Sequence, residues 1–499
     1  MLDRFDDRLD PTFAAPDRTR LIARLKGVLP ADGLLTTPEA MSVYESDGLA
    51  AYRGQPGLVA LPRTAGEVRR CLAVCHEMEV PVVARGAGTG LSGGALPFPG
   101  CVLLSLSRMN QILAIDPAER LARVQPGVFN LAISQAAKPH GLFYAPDPSS
   151  QVACSIGGNV AENAGGVHCL KYGLTVHNIA RLEVMTIAGE RVVIGGETLD
   201  APGFDLLALM TGSEGLLGVI TEITVRLLPL PTHTRALLAA FPHVRGGGEA
   251  VAAIIAAGII PAGLEMMDHL AIIAADTYAK AGYPTDAQAI LLAELDGAEA
   301  DVAAGLEAIA RLCRAAGASA VRVAADEAER LRFWAGRKGA FPAMGRMAPD
   351  YYCIDGTIPR ARLADVLEAI SALSAEHGLP VANVFHAGDG NLHPLILYDA
   401  HAEGEMQRAE TLGGAILELC VAVGGTITGE HGVGREKINQ MCAQFTPDEI
   451  AAFAAIKAAF DPKGLLNPGK AIPTLARCAE FGAMHVHHGQ VPFADLDRL

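Results

Sequence analysis

Apolar positions along the chain follow two alternating periods, and these outline its elements. Leu21, Ile22, Leu25, Val28 and Leu29 share one helical face, which predicts a capping helix over residues 17–29. Leu58 to Leu61 reads as a strand. Thr64, followed three residues later by Glu67, is a capping-box signature, and Val68, Cys71, Leu72, Cys75 and Met78 continue a helical stripe. Cys71 and Cys75, at i and i+4, are therefore core neighbours rather than metal ligands. Val82 to Ala84 is the following strand, so residues 58–85 form a β-α-β unit that presents its next loop at a strand's carboxyl end. Cys101–Leu106 is a continuous apolar run of strand type, and Thr221–Leu227 alternates as a strand does. Pro229 and Pro231 mark a linker. Beyond it, candidate strands at Leu237–Phe241, Ile290–Leu295, Ala320–Val323, Tyr351–Ile358 and Val381–Phe385 alternate with helices at Asp301–Ala316, Ala325–Lys338 and Arg362–His377. This pattern predicts a second, α+β domain. Thr446 opens a helix to Phe460, and the run from Asp461 through Pro468 stops it.

The loop after Ala84 holds five glycines in nine residues, Gly86 to Gly94. Glycine tolerates positive φ and carries no Cβ, so successive N–H groups can converge on an anion; the loop reads as a phosphate cradle, against the alternative of a plain surface loop. Gly88, Gly90 and Gly93 formally satisfy G-x-G-x-x-G, but Pro97 and Pro99 preclude the helix which that dinucleotide motif requires. Two further small-residue zones follow, Ala145–Gly166 and Thr211–Ile220. Three such zones suggest one long ligand gripped from several sides.

Composition narrows the partners. At 499 residues the chain has room for two to four domains, and its formal net charge of −15 argues against nucleic acid and against an anionic membrane surface. Ten cysteines without a C-x-x-C pair read as buried thiols of a reducing compartment and exclude a C-x₂-C-x₂-C iron–sulfur cluster. The charged start, Met1 to Arg8, lacks the apolar core of a secretory signal. Ala250–Leu264, interrupted by Gly258, Pro261 and Gly263, is a buried helix and turn rather than a membrane span.

The most specific chemistry lies in the stretch from Phe385 to Pro394. Asp389-Gly390 is a favoured two-residue turn, and counting outward sets His386 opposite His393, close enough for two imidazoles to share one metal ion. Glu430, held between glycines in Gly429-Glu-His-Gly-Val-Gly, offers a third, carboxylate ligand and leaves coordination positions open for substrate. His431 serves the same pocket only if Gly429 and Gly432 bend the backbone. The alternative is a stacked core pair of histidines. The histidines at 485, 487 and 488 read as solvated or structural.

Five motifs in order, Arg85-Gly-Ala-Gly-Thr-Gly-Leu-Ser-Gly-Gly, Ser155-Ile-Gly-Gly-Asn, His386-Ala-Gly-Asp-Gly-Asn-Leu-His, Gly429-Glu-His-Gly-Val-Gly and Leu466-Asn-Pro-Gly-Lys, resemble the FAD-linked D-2-hydroxyacid dehydrogenases of the vanillyl-alcohol oxidase, or PCMH, type. Residues 348–359 and 478–488 resemble its glycolate-oxidising members in particular. The resemblance implies an α+β fold: an N-terminal helical segment (1–52), a PCMH-type FAD-binding domain of two α+β subdomains (53–230), an α+β substrate or cap domain (231–425), and a C-terminal segment (426–499) that returns to the flavin. It implies that Arg85, Gly86, Ala87, Gly88, Thr89, Gly90, Leu91, Ser92, Gly93 and Gly94 seat the FAD pyrophosphate. Pro146, Asp147, Ser149, Ser155, Gly157, Gly158, Asn159, Asn163, Gly165 and Gly166, with Gly215, Gly218 and Ile220, would line the rest of FAD, and Asn467 the flavin ring. The first loop holds no histidine for a covalent link, so non-covalent FAD is expected.

By the same resemblance, His386, His393 and Glu430 would bind a divalent metal (Zn, Mn or Fe), His431 would be the catalytic base, and Arg337 would bind the substrate carboxylate. A lysine that helps bind a dicarboxylate in relatives falls here at Cys353, which favours a small monocarboxylate. The implied reaction is oxidation of glycolate to glyoxylate, with D-lactate or D-2-hydroxyglutarate as the runner-up substrate and a catalytically silent flavin scaffold as the rival of another class. An iron–sulfur subunit and a second FAD-domain-like subunit are the implied partners, with a cytoplasmic chain reaching the inner face of the membrane only through them.

Overall fold

The structure, a computed structural model, describes residues 16–198 and 203–473, so the readings placed on residues 1–8 and 478–488 lie outside the described residues. A four-stranded sheet opens the chain, in the order Leu34–Leu35, Leu58–Ala60, Val102–Ser105, Val82–Arg85, and its last three strands run parallel. The helix Ala65–Glu77 crosses over between two of them, with Thr64 Oγ1 accepting from Glu67 N at 3.2 Å. Glu67 turns back one residue earlier than a capping box requires, to Arg63 N at 2.7 Å. The predicted helix at the start is Arg18–Lys26, and its Leu21 and Leu25 join Val68, Cys71, Leu72 and Cys75 in one core. Residues 86–101 contain neither helix nor strand, as the prolines require. At the edge of the same sheet the C-terminal segment comes back: Val82 N donates to Leu465 O and Asn467 N to Val82 O, both at 2.8 Å.

The second sheet is antiparallel, in the order Ile112–Asp116, Leu121–Val124, Val219–Arg226, Ile179–Met185, Arg191–Gly195. Ile133, Ile156 and Val160 of the helices Asn130–Ala137 and Ile156–Glu162 close its core against Leu182 and Ile223. The linker is less free than its prolines suggest, because Leu228–Pro229 pairs with Leu142–Phe143.

Residues 233–398 build the third sheet. Its strands run Ala320–Val323, His233–Phe241, Ala289–Gly297, Gly263–Asp268, Val381–His386, Asn391–Tyr398, Asp350–Cys353, with Gly356–Thr357 also on Asn391–Tyr398. Both faces are covered, which is why these strands read as unbroken apolar runs. Leu237, Ala239 and Phe241 face one core, whereas Ala236, Leu238 and Ala240 face the other. Two expectations change here. Tyr351–Ile358 is not one strand: it breaks at Ile354-Asp355, and Asp355 is fully buried at the break. The turn between the histidines spans four residues, so His386 pairs with Asn391 and His393 with Val384 rather than with each other. Gly390 takes φ 87° and donates to His386 O, which closes the longer turn.

Eight cysteines are buried free thiols, but Cys442 is disulfide-bonded, contrary to the all-thiol expectation. Among the described residues, no helix is long and apolar enough to cross a membrane.

Candidate active site

The three glycine-rich zones meet at one cavity of about 470 Å³. From the first zone Arg85, Gly86, Ala87, Gly88, Thr89, Gly90, Leu91 and Gly94 line it; from the second, Ser149, Ser155, Gly157, Gly158 and Asn159; from the third, Gly215, Gly218 and Ile220. His393, Glu430 and His431 line the same cavity. Ser155 ties the zones together, because its Oγ caps the helix Ile156–Glu162 at Gly158 N and also accepts from Ala87 N at 3.2 Å.

Other expected contacts lie just off the lining. Ser92 O accepts from Arg435 N and Glu436 N, and Gly93 sits against Arg435. Pro146 O accepts from Asn130 Nδ2, and Asp147 is paired with His168 at 2.9 Å. Asn163, in the left-handed region, caps its helix and accepts from Val176 N. Gly165 lies against Glu430 and Gly166 against Asp147. Asn467 Nδ2 reaches Gly94 O at 3.0 Å and Glu214 O at 2.7 Å, clamping the first zone to the third.

The two histidines arrive despite the changed register. A shift of two residues preserves the face, so His386 and His393 become diagonal neighbours with ring centroids 5.1 Å apart. Their Nε2 atoms converge on Glu430 Oε1, at 3.4 Å from His386 and 3.0 Å from His393. These three groups form a set able to hold a metal ion. His386 Nδ1 is fixed by Glu265 Oε1 at 2.9 Å, an outer carboxylate that leaves Nε2 facing the centre. Burial opposes a charge on His386, but Glu265 and Glu430 raise its pKa well above the ordinary value. Burial would likewise raise Glu430, yet its bonds to His386 and His393 hold it well below the usual carboxylate range. Cys353, His393 and His431 also lie close enough to form a metal-ligating group.

His431 stacks on His393, with centroids 5.1 Å apart and planes 12° apart. Burial pushes its pKa down to about 4, so the imidazole is neutral near pH 7, and its buried Nδ1 has no partner. Phe341 meets His393 edge-on with centroids 5.8 Å apart and lines the cavity. Arg337 is 1% exposed and off the lining; its Nη2 is ion-paired with Glu265 Oε2 at 2.5 Å, while its Nε has no partner.

Sequence reasoning missed the group that shapes this loop. Asp355 accepts from Asn391 Nδ2, Thr428 Oγ1, Lys437 Nζ and the backbone N of Gly429, Glu430 and His431, all within 3.2 Å. One carboxylate thus bends the segment that carries both Glu430 and His431 to one side. Gly434 completes the bend at φ 51°, where a Cβ would collide with Ser92 O. Glu265 had a legible signal: an acid inside the apolar strand Gly263–Asp268 needs a partner.

Residues 230–471 match the family described as FAD linked oxidases, C-terminal domain, and residues 56–195 match the FAD binding domain family. The chain is 64% identical to the glycolate oxidase subunit GlcD of Escherichia coli K12 over 99% of both chains. It is 32% identical to a D-lactate dehydrogenase of Anaerostipes hadrus, over 90% of this chain and 96% of that one. The fold is that of a solved p-cresol methylhydroxylase, with TM-score 0.74 and 16% identity over 92% of this chain and 97% of that one.

Proposed function

Because the chain belongs to the FAD-linked oxidases, we propose that it oxidises glycolate to glyoxylate, with FAD held non-covalently in the glycine-lined cavity. The observation that carries this reading is that three glycine-rich zones share one cavity with His393, Glu430 and His431. FAD suits a cavity walled by backbone and small side chains. A divalent metal suits two imidazole nitrogens and a carboxylate oxygen that converge on one point, with His386 already oriented by Glu265. Zn, Mn and Fe all fit this donor set.

When bound, FAD supplies the acceptor for two electrons and the C2 hydrogen, and a metal at His386, His393 and Glu430 supplies positive charge that acidifies the 2-hydroxyl. The neutral imidazole of His431 accepts the hydroxyl proton. The substrate carboxylate is assigned by the family resemblance to Arg337, a buried guanidinium off the cavity lining whose Nη2 is ion-paired with Glu265 Oε2 and whose Nε has no partner. Phe341 and Leu91 supply apolar walls that exclude water beside His393. Electrons then leave to a partner subunit, to quinone or to oxygen, and the family resemblance favours partner subunits. An iron–sulfur subunit and a second FAD-domain-like subunit complete this reading, and the cytoplasmic chain meets the membrane only through them.

The test is anaerobic addition of glycolate, D-lactate or D-2-hydroxyglutarate to the purified yellow protein. Bleaching of the flavin spectrum is expected with glycolate first. Faster bleaching with D-lactate would move the substrate to that of the D-lactate relatives, and a full flavin spectrum unmoved by all three acids would mean a silent scaffold.

A further inference from the structure

The reaction just described leaves two carboxyls in the cavity unused, half-buried Glu162 and buried Glu214. Glu162 ends the helix Ile156–Glu162 and lies between Gly94 and Gly432; a Cβ at Gly432 would collide with its Oε2. That oxygen is buried and has no hydrogen-bond partner. Glu214 is bonded quite differently. Its Oε1 accepts from Val433 N at 2.7 Å and its Oε2 from Gly434 N at 2.6 Å. The chain holds it there at φ 50°, with its carbonyl gripped by Asn467.

Asp47, Lys437 and Lys470 also act on Glu162. Asp47 adds a third acid. Both lysines are committed elsewhere, Lys437 to Asp355 and Lys470 to the carbonyls of Gly94 and Leu96. Lys437 and Lys470 favour the charged forms of both carboxyls, but burial opposes them, and neighbouring carboxyls resist ionising together. Two N–H donors favour the charge on Glu214, and the negative end of a helix disfavours it on Glu162. Burial, then Glu214 and Asp47, raise Glu162 well above the ordinary carboxyl value; burial also raises Glu214, but its two backbone donors pull the other way.

We propose that Glu162 is a neutral carboxylic acid in the working enzyme, and that its O–H is a hydrogen-bond donor offered to the bound flavin at the end of the cavity shared with Glu430 and His431. This rests on the FAD reading of the cavity. A neutral donor favours electron density arriving on the flavin; a carboxylate there would repel it. The sign of the effect on the flavin reduction potential therefore reports the protonation state.

The experiment compares FAD-loaded wild type, Glu162→Gln and Glu162→Leu by spectroelectrochemical titration at pH 7, with FAD affinity measured alongside. Gln keeps a neutral donor and should leave the potential and FAD affinity near wild type. Leu removes the donor and should lower the potential and weaken FAD about 2- to 10-fold, the range of one net hydrogen bond. If Glu162 is an anion, both variants raise the potential, and the proposal is overturned. Infrared spectra supply a second readout that needs no apolar variant: a protonated-carboxyl stretch present in the wild type and missing from Glu162→Gln is expected, and its absence from the wild type overturns the proposal. A wild type that binds no FAD would instead overturn the reading of the cavity itself.

Discussion

Neutralising Asp355 tests whether one buried carboxylate organises the catalytic loop. Asp355→Asn is nearly isosteric, yet it removes the acid 3.0 Å from fully buried Lys437 and leaves it the more distant Glu436 Oε2, at 3.8 Å, as ion-pair partner. It also turns an amide NH₂ towards a cluster of donors that includes the backbone N of Gly429 and His431. Breaking a buried ion pair by removing one partner costs about 3–5 kcal/mol. At roughly 2–4 °C per kcal/mol for a cooperative unit of 150–250 residues, the expected fall in Tm is roughly 6–20 °C. Thermal unfolding of the FAD-loaded protein, followed by circular dichroism, reads this directly. Asp355→Asn/Lys437→Met removes the under-compensated lysine charge as well and should recover part of the loss. A single variant within about 2 °C of wild type, or a double variant no more stable than the single, would refute the reasoning. The pH dependence has a defined sign. Burial alone would raise the Asp355 pKa, but Lys437, His431 and His393 outweigh it and hold it well below the carboxylate range. Its contribution is therefore present above the unfolded value of about 4 and is lost as pH falls below it, so the gap between wild type and Asp355→Asn should narrow in acid.

His431→Ala should keep its FAD spectrum and lose about 10²- to 10⁴-fold in turnover; near-normal turnover would remove His431 as the base. Glu430→Ala should lose bound metal by elemental analysis, and an unchanged stoichiometry would reject it as a ligand. Glu265→Gln should weaken metal binding about 10- to 100-fold with FAD content unchanged, because it loosens His386 without touching the glycine zones; an unaltered metal affinity would show that His386 needs no outer carboxylate.

The sequence revealed regular elements better than the places where regularity stops. The helix Ala65–Glu77 and the strand Ala320–Val323 were readable because periodicity and caps are local. The histidine pair survived a wrong turn length for a physical reason: side chains alternate with period two, so an error of two residues moves His393 along the strand without moving it to the other face. An error of one would have hidden it in the opposite core. Asp355 was not readable, since nothing in Cys-Ile-Asp-Gly announces a strand break whose buried acid gathers donors from residues 391 to 437, supplied by the fold rather than by neighbours in sequence. The same holds for Arg337 and Glu162. A motif can nominate an arginine, but only packing decides that Arg337 leans on Glu265 behind His386. Glu162 looked like one more polar residue in a glycine-rich stretch, and it acquires chemistry only because Glu214 arrives beside it already holding two backbone donors. Local pattern thus located the cavity's walls and its ligand set, while the carboxylates that orient and charge them belong to long-range contacts.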